Sequence, residues 1–183
     1  MNNVEKLYDI LMSENVVFNI NENLGDLLLL IPELKPMIGF DHKHPHHHLD
    51  VWDHTMLALA HSIQDFDIRL VLLLHDISKP ICNQKDGDIL HFKGHPKKSK
   101  EMSEEILKRL GFEDSYIKKI GYLIEKHDEP ITNKELNEYP NLSTKRFEIQ
   151  RCDALAHHPD KLEKRIKYID NISQKIKRLS FNK

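Results

Sequence analysis

An all-α fold is what the sequence predicts, on three observations. Apolar residues recur at helical spacing along nearly the whole chain. Gly (6) and Pro (8) are few. Two-residue hairpin signals are almost absent. The 183 residues suffice for one domain with a real core, and two full domains would be cramped.

The elements follow in order. Val4 to Met12 reads as a short amphipathic helix, and Leu24 to Ile31 as a second apolar segment stopped by Pro32. Residues 39 to 48 read as a His-rich loop. A helix then runs from Asp50, its N-cap, to about Gln64. Arg69 to His75 is an apolar helix ending before Pro80. Asp86-Gly87-Asp88 before Ile89 predicts a short hairpin or an irregular loop. Gly94-His95-Pro96 opens a helix that stops at Gly111, and Asp114 caps the next, through Lys126. A helix from Ser143 carries Asp153 and stops near Pro159. Asp160 caps the last, with Leu162, Ile166, Ile169, Ile172, Ile176 and Leu179 on one stripe. The result is seven or eight helices, with no repeat and no interdomain linker.

Bulk properties exclude several classes. Charged residues are 31%, hydrophobic ones 39%, and net charge is -2, so no global basic field attracts nucleic acid. The basic residues after Lys161 read as a solvated face, giving no strong nucleic-acid patch. Two cysteines, neither in a CxxC, fit a reducing compartment. No signal-peptide core appears, and the apolar run Leu27 to Ile31 is too short to span a bilayer. A cytoplasmic protein with no membrane association is expected. Thirteen histidines are the outlier.

Chemistry concentrates at Leu72-Leu73-Leu74-His75-Asp76, where an apolar run ends on two ionisable groups. Burying such a pair is costly unless it is paired or coordinates a metal. His54, on the preceding helix, and Asp153, on a late one, supply two more donors. His and carboxylate together suit Mn, Fe, Co, Ni or Zn, with Mg as a further option. Convergence of donors from three helices is a known way to build a metal site. Taken singly, each His reads equally well as a hydrogen-bonded structural residue.

The order His54, His75-Asp76, Asp153 resembles the signature of the HD metal-dependent phosphohydrolases. Pro45-His46-His47-His48-Leu49-Asp50-Val51-Trp52-Asp53-His54-Thr55, His75-Asp76-Ile77-Ser78-Lys79-Pro80 and Phe92-Lys93-Gly94-His95 further resemble the HD region of bacterial tRNA nucleotidyltransferases. The resemblance runs from about Pro32 to Pro159 and implies a single HD-domain helical bundle. On that basis residues 1–31 are expected to form an N-terminal helical segment and 32–183 the HD domain. Residues 1–31 offer no room for a nucleotidyltransferase domain, so a stand-alone HD domain is expected and CCA addition is not inferred.

The resemblance implies His54, His75, Asp76 and Asp153 as ligands of one metal. The chemistry of such a site makes Asp76 and Lys79 the catalytic candidates. Asp76, next to a metal-bound water, would orient it or take its proton. Lys79, three residues on, would neutralise a phosphate oxygen, or else is a solvated surface lysine. His95 and His127, with His47 and His48 beside the cleft, are candidates for a second metal or for substrate contacts. Two departures stand out: Ser78 where Gly is usual, and His127-Asp128 where two-metal relatives carry His-His. His61 reads as a core histidine, and His157-His158 as helix-end residues.

The activity implied is phosphodiesterase or phosphatase chemistry by metal-activated water. The substrate would be a nucleotide, a 2',3'-cyclic nucleotide or an RNA-end phosphoester. Alternatives are hydrolysis of a dinucleoside polyphosphate or nucleoside monophosphate, or a non-catalytic, metal-stabilised nucleotide-binding module.

Overall fold

A computed structural model describes residues 2–43 and 49–181, with eleven α-helices, two short 3-10 turns and one hairpin. All eight expected helices are present. They are α1 (Asn3–Leu11), α3 (Leu24–Leu30), α4 (Val51–Ala60), α5 (Phe66–Leu74), α7 (His95–Leu110), α8 (Asp114–Glu125), α10 (Pro140–Leu155) and α11 (Leu162–Phe181). Three short ones add to them: α2 (Val16–Glu22), α6 (Lys79–Cys82) and α9 (Asn133–Glu138). The Asp86-Gly87-Asp88 turn does close a hairpin, β1 (Gln84–Asp86) pairing antiparallel with β2 (Ile89–His91).

The hub is α5. Every residue from Ile68 to Leu74 is buried, Arg69 included, and α1, α4, α8 and α10 all pack on it. A helix apolar on all sides belongs inside a bundle. Arg69 crosses the core to donate to the Leu11 carbonyl at 2.6 Å and the Ser13 carbonyl at 2.8 Å, tying the end of α1 to the centre. One apolar cluster runs from Leu7 through α5 to Ala156. A smaller one, around Phe147, Ile169 and Ile172, joins α10 to α11.

Several boundaries differ from expectation for local reasons. Asp50 caps α4 as expected, accepting from Asp53 N at 2.7 Å, but α4 ends at Ala60 rather than near Gln64. His61 is exposed at its C-cap and is not a core residue. Glu113, not Asp114, sits at the N-cap position of α8, without a side-chain cap bond. α10 starts at Pro140, whose fixed φ suits a first helical position, rather than at Ser143. Before α11, Pro159–Lys161 form a 3-10 turn capped by His158, so Asp160 is not the cap. Ile166 is 41% exposed on α11, and Tyr168 packs on the small cluster instead. The side chain of Leu179 lies outside the described residues. No helix is long and apolar enough to cross a membrane among the described residues.

Candidate metal centre

The centre of the bundle collects polar side chains because α5 ends there. His75 is its C-cap, and Asp76 begins the turn that leads into α6, so both are buried at the end of an apolar rod. His54 comes from the buried face of α4 and Asp153 from the last turn of α10. His95 is the first residue of α7, and His127 follows Lys126, the C-cap of α8.

Each of these histidines has its tautomer set by the main chain. Nδ1 of His75 donates to the Leu72 carbonyl at 2.7 Å, that of His127 to Ile124 O at 2.7 Å, and that of His95 to Phe92 O at 2.9 Å. His54 Nδ1 donates to Ala156 O at 3.2 Å. For His75 and His127 the acceptors are carbonyls in the last turn of the preceding helix. A carbonyl can only accept, so Nδ1 carries the proton and Nε2 is the atom turned inward. That is the arrangement a histidine ligand needs.

The inward atoms converge on Asp76, whose two oxygens face different partners. Oδ2 lies 3.2 Å from His75 Nε2 and 3.7 Å from His54 Nε2. Oδ1 lies 3.2 Å from His95 Nε2, which is itself 3.4 Å from His127 Nε2. Asp153 Oδ1 is 2.9 Å from His54 Nε2 and 3.7 Å from His75 Nε2. Donor atoms of His54, His75 and Asp76 cluster within 4.8 Å of one another, and so do those of Asp76, His95 and His127. His54, Asp153 and His157 form a third such group.

This donor set fits a divalent cation. His75 Nε2 and both Asp76 oxygens are buried without an aligned hydrogen bond, which is costly unless an ion takes up their lone pairs. Burial alone would raise the Asp76 and Asp153 pKa values. The histidines around both, with Lys79 beside Asp76, hold them well below the carboxylate range. Burial works to lower His75, yet Asp76 and Asp153 outweigh it and hold the imidazole protonated up to about 10. A proton thus stands where a cation is the natural replacement. Burial drives His127 the other way, down to about 4, so it is neutral and able to ligate.

Lys79 is buried, not a surface lysine. Its Nζ is 2.7 Å from Asp76 Oδ2, 3.2 Å from His42 Nε2, and 5.5 Å from the centre of the Phe92 ring. Ser78, in the position where glycine is usual in the proteins this chain resembles, has φ -90, so nothing there requires glycine. Its hydroxyl donates to the His95 carbonyl at 2.9 Å and ties the turn to α7. Asp76, Lys79, His95 and His127 open on a cavity of about 620 Å³, walled by Phe92 and Tyr168 and edged by Arg165.

The structure therefore brings together His54, His75, Asp76, Asp153, Lys79, His95 and His127. His47 and His48 lie outside the described residues. Sequence reasoning missed two histidines. His157 is buried beside Asp153 rather than an ordinary helix-end residue, its Nδ1 donating to Asp153 O at 2.7 Å. His42, read only as part of the His-rich loop, is buried against Lys79. For His157 a signal existed: four residues past Asp153, it falls on the same helical side.

A family model described as HD domain matches residues 46–174. The chain is 27% identical over 160 residues to a CC-adding tRNA nucleotidyltransferase of Thermus thermophilus. That match covers 82% of this chain and 35% of the relative. It is 34% identical over 113 residues to an A-adding tRNA nucleotidyltransferase of Deinococcus radiodurans, covering 58% of this chain and 26% of the relative. The chain thus matches only about a third or a quarter of the length of these relatives.

Proposed function

The chain belongs to the HD domain family, and from that premise we propose that it is a metal-dependent phosphohydrolase acting on a nucleotide, a 2',3'-cyclic nucleotide or an RNA-end phosphoester. One observation carries the reading. The two oxygens of Asp76 are divided between His54/His75 and His95, a carboxylate set to serve two adjacent cation positions. His54, His75, Asp76 and Asp153 would hold one ion, and Asp76, His95 and His127 a second. A divalent ion bound there supplies a Lewis acid for a phosphoryl oxygen and water of lowered pKa.

The chain's own groups do the rest. The Lys79 ammonium, held at the cavity wall, neutralises charge on a phosphate oxygen. Asp76, held too acidic to keep a proton, would orient the attacking water. Phe92 and Tyr168 offer aromatic faces on which a base can stack. Arg165, 3.8 Å from Asp153 Oδ2, stands at the rim as a further cation for a substrate phosphate.

The test is metal content of purified protein together with hydrolysis of bis-p-nitrophenyl phosphate and 2',3'-cyclic AMP, for wild type and Asp76→Ala. One or two transition-metal ions per chain, with turnover lost in the variant, supports the reading. Protein that takes up no metal after refilling would sink it. Metal-loaded protein that binds nucleotides and turns over no phosphoester would make it a binding module instead.

A further inference from the structure

Arg146 heads the fully buried side chains by volume, at 1% exposure, yet it carries a charge. It stands on α10, two turns before Asp153. Its Nη2 donates to the Lys126 carbonyl at 3.0 Å and to the Glu129 carbonyl at 2.8 Å. Its Nη1 donates to Glu135, which also accepts from Tyr122 Oη at 3.0 Å and from Thr132 N at 2.8 Å. One turn further along α10, Gln150 Nε2 donates to the same Glu129 carbonyl at 2.6 Å. Tyr168 on α11 donates to Gln150 Oε1 at 3.0 Å and accepts from Ile131 N at 2.9 Å.

Four of these bonds fall on the chain between Lys126 and Ile131, and they bracket His127. The carbonyl just before His127 is gripped by Arg146, and the one two residues after it by Arg146 and Gln150 together. Apolar packing could close α10 on this turn without burying a guanidinium, whose Nε has no hydrogen-bond partner. What apolar packing cannot do is hold two carbonyls at a fixed separation, which the two coplanar N–H groups of Nη2 do while Nη1 is anchored on Glu135.

We propose that Arg146, seconded by Gln150, is a positioning residue for His127 and thereby for the second metal position. This rests on the two-cation reading of Asp76 given above. Arg146 touches neither ion nor substrate; it fixes the height at which the His127 imidazole meets His95, their Nε2 atoms 3.4 Å apart. His54 and His75 reach the centre from α4 and the end of α5 and do not depend on this grip, and Asp153 stands on α10 itself, the helix that grips rather than the turn that is gripped.

The experiment is Mn(II) titration of the full chain, followed by electron paramagnetic resonance, for wild type, Arg146→Met and Gln150→Leu, with circular dichroism as the folding check. Wild type is expected to bind two ions with a spin-coupled spectrum. Arg146→Met is expected to keep one tight ion, to bind the second at least tenfold more weakly, and to show an isolated Mn(II) signal. If Arg146→Met does not fold, Gln150→Leu carries the test, with the second ion weakened several-fold and the first unchanged. Three results overturn the inference: folded variants that bind both ions as wild type does, variants in which both ions weaken equally, or a wild type that takes only one ion. Turnover by a one-ion wild type would sink this inference and leave the phosphohydrolase reading standing.

Discussion

Lys79 Nζ sits 2.7 Å from Asp76 Oδ2, inside the core rather than on the surface. An ammonium at this place balances a carboxylate that is also the meeting point of two histidine sets. With cations in those sets, as proposed, Asp76 would no longer need Lys79 as its counter-ion, and the ammonium would be available to a phosphate in the cavity.

Lys79→Met is therefore expected to keep its metal and lose turnover. Removing one preorganised donor from developing charge costs on the order of 100-fold in kcat. The check is kcat with 2',3'-cyclic AMP beside metal content. A variant that keeps full kcat would remove Lys79 from the reaction.

Asp76→Asn should be the most damaging single change to metal content, because both candidate positions share it. His127→Ala should lose one ion and keep the other. Elemental analysis after gel filtration distinguishes them, and equal losses in the two variants would argue against a shared carboxylate.

Asp67 gives the protein an acid-sensitive anchor. Burial raises its pKa, but Lys119 at 2.9 Å, Tyr116 Oη at 2.8 Å and Lys145 at 3.0 Å together hold it below the usual value. A depressed carboxylate adds stability above its unfolded pKa of about 3.9, and that stability is lost as pH falls through that value towards the folded one. Asp67→Asn should cost about 1–3 kcal/mol at pH 7 and progressively less below pH 4. Urea melts at the two pH values read the difference, and a pH-independent deficit would contradict the assignment.

Arg69→Met should loosen the amino-terminal helices. It would leave the Leu11 and Ser13 carbonyls without their donor, at about 1–3 kcal/mol each when they stay dry. Hydrogen exchange in α1 should speed up more than in α8. Uniform acceleration would mean that Arg69 supports the whole core equally.

How much of this was legible in the sequence depended on range and length. α5 was readable because a helix buried on all sides is an uninterrupted apolar run, and its end at His75-Asp76 marked where polar groups enter the core. The missed helices α2, α6 and α9 have 7, 4 and 6 residues, too few turns for a period to show. The burial of His42 rests on Lys79, 37 positions away, and the orientation of His54 on the Ala156 carbonyl, 102 positions away. Local pattern carries no trace of such pairs. Arg146 was invisible for the same reason: in sequence it is one more charge on a mixed helix, and only the fold turns it inward.

The histidine rings at the centre are aimed by the carbonyls of Leu72, Phe92, Ile124 and Ala156. None of these four acceptors belongs to a side chain, so no single replacement at those positions deletes one. A change of bulk at 72 or 124 acts on the core packing, where both side chains are fully buried, and leaves the orienting oxygen itself in the chain. The aim of the rings is thus a property of the main chain, and it fails only when the backbone beneath it moves.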